Sequence, residues 1–246
     1  MKRCLGIALV VLISTIETRA ADASTELKTS RQCVVVLANS WSSTRGLLWQ
    51  LERKNGARWS QVGESTPVLF GRAGLAWGRS EMRRSSFKGP TKREGDDKAP
   101  AGIFRLGTAF GYATKPPATR MRYLPLTKNV VAVDDPKSRY YNQLVDKTKI
   151  HQVDWRSAEN MMLKDGRYKW GIWVRHNEPP IPGAGSCIFL HVWKNSTTLT
   201  SGCTVMAEPA MVRLLGWIDP AKDPLLIQLP RPIYNEQRAK WALPAL

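Results

Sequence analysis

The sequence predicts a mainly β fold, and three observations carry that prediction. Short runs rich in β-branched and aromatic residues recur along the chain, bounded by Gly, Pro, Asn or Ser. One segment only shows a clear helical stripe. No repeat and no Pro/Ser-rich linker divides the 246 residues, which suit a single domain. Apolar residues make up 43% and charged residues 23%, enough to build a core and to argue against wholesale disorder.

The elements follow in order. Residues 1–20 read as a secretory signal peptide: Lys2 and Arg3 precede the apolar run Leu5–Ile13, and Thr18-Arg19-Ala20 places small residues at −3 and −1 of a cleavage site. That run is about half of the ~20 residues a bilayer span needs, so cleavable export into the periplasm is expected rather than an anchor. Cys4 precedes the run and is not placed for lipid attachment. Residues 21–30 make a short N-terminal segment, and residues 31–246 make the domain. Gln32–Leu37 (QCVVVL) and Gly46–Leu51 (GLLWQL) are strands, and Lys54-Asn55-Gly56 turns the chain into a hairpin with Trp59–Val62. Val68–Phe70 and Gly102–Leu106 are further short strands. Gly107–Lys149, rich in Pro, Tyr and Asp with weak periodicity, is expected to form long loops. Ser157–Leu163 is expected to be a short helix capped by Ser157. Trp170–Arg175, Cys187–Trp193 and Leu225–Leu229 complete the strands. Met211, Leu214, Leu215 and Ile218 fall at i, i+3, i+4 and i+7, with Pro209 in the first turn and Asp219-Pro220 as the stop. This predicts a helix with one buried face.

Lys and Arg number 37 against 20 Asp and Glu, a net charge of +17, or +15 once Lys2, Arg3, Glu17 and Arg19 are removed. Such an excess favours an anionic partner. The basic residues are dispersed, with modest clusters at Arg83-Arg84, Lys88 and Lys92-Arg93, and no nucleic-acid-binding pattern is present. For an exported chain the expected partner is a carboxylate-rich cell envelope. The charged stretch Lys92–Lys98 is expected to face water.

The chemistry concentrates in Cys187–Val205, CIFLHVWKNSTTLTSGCTV. His191 sits in an apolar strand run at alternation parity with Phe189 and Trp193, and Thr200-Ser201-Gly202-Cys203 forms a small-residue loop ahead of the helix. A cysteine nucleophile needs a neighbour that raises its thiolate fraction, and a histidine can supply that. It also needs backbone N–H groups aimed at the developing oxyanion, which a preceding glycine lets a tight loop present. Residue types alone leave blander readings open: a disulfide, for which Cys33 with Cys187 is a plausible pair, and a satisfied core histidine. His151, His176 and His191 are scattered, without C-x-x-C or H-x-x-x-H spacing, so no metal site is expected.

These residues resemble the L,D-transpeptidases, the YkuD-like catalytic domains, in which a strand-borne His precedes a Ser-x-Gly-Cys loop. Thr200 stands at the Ser position, Ser201 at the variable one, and Gly202-Cys203 match. Lys98-Ala99-Pro100-Ala101-Gly102-Ile103-Phe104 is similar to the family's Thr-Pro-x-Gly-x-Phe stretch. Gly71–Gly78 (GRAGLAWG), Asp134-Asp135-Pro136 and Pro182–Ser186 (PGAGS) resemble a proteobacterial branch. The resemblance covers roughly residues 31–230. It implies a β-sandwich or mixed sheet with a short helix after the cysteine loop and long connecting loops. It further implies Cys203 as nucleophile, His191 as general base and acid oriented by a backbone carbonyl, and Thr200, Ser201 and Gly202 as loop support. The amides of Gly202 and Cys203 would receive the oxyanion. The implied substrate is a peptidoglycan stem peptide, with no cofactor and no metal. Three departures stand out: Val192 follows His191 where many members have Gly, Val205 stands where many have Arg, and the His-to-Cys interval is shorter than in many. Two other classes fit the same residues: a thiol hydrolase on this scaffold, and a non-catalytic basic wall-binding protein.

Overall fold

The computed structural model describes residues 23–54, 57–82, 88–116 and 118–246. The expected signal peptide, the Asn55-Gly56 turn and the Arg83-Arg84 cluster lie outside the described residues. The chain is mainly β. Helix α1 (Ala23–Thr29) leads into β1 (Gln32–Ala38), β2 (Arg45–Glu52), β3 (Ser60–Leu69), β4 (Leu75–Trp77), β5 (Ala99–Gly111), β6 (Tyr123–Pro125), β7 (Val130–Val133), β8 (Gln143–Asp146), β9 (Ala158–Asn160), β10 (Trp170–Val174), β11 (Phe189–Val192) and β12 (Thr204–Met206). Helix α2 (Glu208–Trp217), β13 (Leu225–Pro230) and α3 (Arg231–Gln237) complete it.

The QCVVVL run forms the centre of the large sheet. Every residue of β1 is buried, because it lies between two neighbours, β13 in parallel and β2 in antiparallel register. Fully buried strands read as continuous apolar runs rather than as alternation. The expected hairpin is present, with Glu52 opposite Ser60, but its second arm runs unbroken to Leu69 and absorbs the separate strand expected at Val68–Phe70. The sheet runs β10-β11-β12-β3-β2-β1-β13-β5-β4. Strand β5 pairs with β13 through residues 102–105 and with β10 through residues 106–111, so the sheet folds back on itself. Packed faces then enclose two apolar cores. One contains β1, β13 and the inner face of α2; the other holds Phe110, Tyr168, Trp173, Phe189, Cys187 and Cys203.

Two expectations need correction. Residues 107–149 are not only loop: β5 continues to Gly111, and β6, β7 and β8 follow. Ser157–Leu163 is not a helix. Residues 158–160 are β9, which pairs with β7 on the edge opposite β8, so β7 is flanked on both sides in a separate three-stranded sheet. Pairing along an open strand edge outweighs the favourable helix propensity of Ala158, Glu159 and Met161. The stripe on α2 behaves as the periodicity predicts: Met211, Leu214 and Leu215 are buried, Ile218 closes the helix, and the helix packs on β10 and β11.

Candidate active site

Strands β11 and β12 run parallel, with Leu190 paired to Thr204 and His191 to Val205. This register puts His191 and Cys203 on the same side of the sheet, one on each strand or at its entry. Both line one cavity of about 400 Å³, together with Arg72, Lys92, Asp134 and Glu159. A larger cavity of about 790 Å³ lies elsewhere, around Arg105, Arg122 and Trp173, and contains neither residue.

The loop before Cys203 is held by its own hydroxyl. Thr200 Oγ1 donates to the Cys203 carbonyl at 2.6 Å and accepts the Gly202 N–H at 3.1 Å. Gly202 has φ +155° and packs against the Lys98 carbonyl, a backbone conformation that L side chains rarely adopt. With the Thr200 and Gly202 N–H groups engaged, the N–H groups of Ser201 and Cys203 are the loop donors with no partner among the described residues. Ser201 is exposed and accepts a hydrogen bond from Arg72 Nη2 at 3.2 Å.

The thiol and the imidazole are both shielded. Cys203 Sγ accepts the Phe189 N–H at 3.3 Å and points towards the Cys187 carbonyl at 3.8 Å. Burial pushes its pKa up to about 12, with Glu159 adding to the rise and the Phe189 N–H, Lys92 and Arg167 opposing it. His191 Nδ1–H donates to the Val192 carbonyl at 2.8 Å and the Arg167 carbonyl at 3.1 Å. That arrangement assigns the tautomer and leaves the Nε2 lone pair as the basic one. Burial lowers the His191 pKa to about 4 despite those two carbonyls. The ring packs edge-on against Tyr168, centroids 4.8 Å apart, and the Tyr168 hydroxyl donates to Glu159 Oε1 at 2.6 Å. At neutral pH the resting pair is therefore thiol and neutral imidazole.

A buried asparagine fixes the cavity wall. Asn142 accepts the Cys187 N–H at 2.8 Å and donates to the His176 and Asn177 carbonyls, each at 3.0 Å. It thereby holds Cys187 at φ +52°, uncommon for a residue with a β-carbon.

YkuD, the L,D-transpeptidase catalytic domain, matches residues 49–227 as a family model. The chain belongs to this family. No curated protein matches the chain.

Several sequence expectations change. The plausible Cys33–Cys187 disulfide is absent: Cys33 lies in the β1 core beside Ser30 Oγ, whereas Cys187 lies in the other core and donates to the Val133 carbonyl at 3.4 Å. All three described cysteines are free and buried. Lys92–Lys98 does not simply face water, because Lys92 is buried and Lys92, Glu94, Gly95 and Asp97 line the cavity. Lys92 Nζ is ion-paired with Asp96. Of the three histidines, His151 is exposed, and His176 is buried against the Ala184 carbonyl at 3.1 Å. Among the described residues no cluster could hold a metal ion, and no helix is long and apolar enough to cross a membrane. Sequence reasoning missed Glu159, Arg167 and Tyr168. Arg72 and Asp134 were visible only as members of motif stretches, with no pattern marking them as cavity walls.

Proposed function

We propose that the chain is an exported peptidoglycan L,D-transpeptidase in which Cys203 is the nucleophile and His191 the proton carrier. The observation that supports this best is the shared cavity: a thiol and a tautomer-fixed imidazole, on neighbouring strands, open into one charged pocket. Because both groups rest neutral, the proton leaves Cys203 during attack rather than before it. Sγ attacks the carbonyl carbon of the L-centred bond, its proton passes to His191 Nε2, and the oxyanion meets the Cys203 N–H. Collapse breaks the C–N bond, and the departing amine of the terminal D-residue takes the proton from His191. A thioester remains on Cys203. An acceptor amine then attacks that carbonyl, gives its proton to His191 and displaces the thiol, which is reprotonated from the imidazolium. Water in place of the amine yields a shortened stem.

With Val205 at the position where an arginine is common, Arg72 and Arg167 take over the substrate carboxylate in this reading. Arg72 stands beside Ser201 at the rim, and Arg167, whose carbonyl accepts from His191 Nδ1 and whose guanidinium pairs with Asp165, lines the same cavity. The excess of 37 basic over 20 acidic residues suits a carboxylate-bearing wall polymer, and the leader-like pattern of residues 1–20 supports a periplasmic location in this reading. The test is mass spectrometry of the purified protein incubated with disaccharide-tetrapeptide, beside Cys203→Ala. Cross-linked dimers with released D-alanine, absent in the variant, are expected. Shortened stems alone would shift the reading to a carboxypeptidase. No product and no acyl-enzyme would overturn it.

A further inference from the structure

The cavity around Cys203 is lined by charges of both signs, and most of them already have partners. Arg72 pairs with Asp97 at 3.7 Å and Arg167 with Asp165 at 2.5 Å, Lys92 is paired with Asp96, Glu94 accepts from the Tyr141 hydroxyl, and Glu159 accepts from Tyr168. Asp134 differs. Its carboxylate makes no hydrogen bond or ion pair among the described residues, and its Oδ1 is fully shielded from solvent. Ser186, 8% exposed, has a shielded Oγ with no hydrogen bond of good geometry among the described residues, and the Tyr141 hydroxyl and Cys187 thiol stand near it. Both side chains line the cavity.

Native structures leave few such atoms, because a shielded polar group without a partner forfeits its hydrogen bonds to water and gains none in return. A carboxylate only accepts hydrogen bonds, and a serine hydroxyl can accept one as well. What would satisfy both is a donor group carrying positive charge. The surrounding field agrees: Asp134, Glu94 and Glu159 all act on the Cys187 thiol, so three carboxylates converge on the side of the cavity where Ser186 adjoins Cys187. The Cys187 carbonyl lies 3.8 Å from Cys203 Sγ, so a cation seated there sits beside the reacting sulfur. A metal ion fits poorly, since no described cluster has the ligands to hold one.

We propose that Asp134 and Ser186, with Glu94 nearby, form a subsite for a primary ammonium group of the peptide substrate, next to Cys203. The subsite rests on the transpeptidase reading for the source of that group, which is the side-chain amine of the diamino acid in the donor stem or the amine of the acceptor. In either case it is a positioning site: it fixes which amine-bearing peptide lies along the cavity, while Arg72 and Arg167 face the carboxylate end.

The test separates binding from turnover. Cys203→Ala protein is titrated calorimetrically with tetrapeptide whose side-chain amine is free or acetylated. For a donor-side ammonium, acetylation weakens binding at least tenfold, Asp134→Asn removes that dependence, and Ser186→Ala reduces it two- to fivefold. For an acceptor-side ammonium the titration is flat. Asp134→Asn on the active protein then raises the acceptor KM at least tenfold while thioester formation keeps its rate. Asp134→Asn should also melt no lower than its parent, because no hydrogen bond or ion pair among the described residues is lost with the carboxylate. Thioester formation with unaltered amine dependence in both variants, and an unchanged acceptor KM, would overturn the subsite alone. Discrimination in the titration, with no thioester formed by the parent protein, would keep the subsite and overturn the transpeptidase reading.

Discussion

Cys33 and Cys203 are both buried thiols, and burial pushes each to a pKa of about 12. Their surroundings have little else in common. Cys33 lies in β1 between Leu51 and Leu225, within the apolar core, with Ser30 Oγ 3.8 Å from its sulfur. Cys203 stands at the end of a glycine-strained loop, in a cavity shared with a tautomer-fixed histidine and charges of both signs. Desolvation raises a thiol pKa wherever it acts; what separates a structural cysteine from a reactive one is the set of groups it faces. The comparison breaks if the two thiols exchange behaviour. Cys203→Ala is expected to reduce thioester formation by about 10³-fold or more, while leaving the melting temperature close to the parent's. Cys33→Ala is expected to retain activity within a few-fold and to lose ~1 kcal/mol of stability, read by urea denaturation. A Cys33→Ala protein that is inactive but folded would place the chemistry in the wrong core.

The two regions were also unequally legible. The Cys33 strand announced itself, because a run of β-branched and apolar residues admits few alternatives to a doubly flanked strand. The α2 stripe was equally plain. His191 and Gly202-Cys203 stood out through their resemblance to the family's cysteine loop, because residue types alone fitted a disulfide and a core histidine as well. The cavity walls were not. Arg72, Lys92, Asp134, Glu159 and Arg167 come from distant segments, and only the fold-back of β5 and the small sheet of β7, β8 and β9 brings them near Cys203. A charged side chain in a loop carries no local signal that it lines a cavity. The same small sheet explains the misread helix, since Ala158–Asn160 gains a partner strand that no window of sequence contains.

The histidines sharpen the comparison further. His191 and His176 are both buried, and burial lowers both to about 4. Only His191 shares a cavity with Cys203; His176 packs against Phe104 and the Ala184 carbonyl. His191→Gln is expected to slow acylation by about 10²–10⁴-fold, the range for loss of a positioned general base. His176→Gln is expected to stay within about tenfold of the parent. Stopped-flow measurement of thioester formation distinguishes the two, and equal losses would show that His191 acts through packing alone.

Where the histidines behave alike, the effect is on stability. Each titrates near 6.5 when unfolded and near 4 when folded, so between those values the unfolded chain binds more protons. Their contribution is therefore complete above about pH 6.5 and is lost as pH falls towards 4, at up to ~1.4 kcal/mol per pH unit for each histidine. Over that window the pair accounts for a slope near twice the single-group value, which urea denaturation at pH 7, 5.5 and 4.5 resolves. His176→Gln should halve the slope while leaving thioester formation nearly intact. An unchanged slope would mean that His176 gains a proton without unfolding. A halved slope with activity preserved would separate the two histidines cleanly: the same desolvation lowers both, and only the one facing the cavity is used for chemistry.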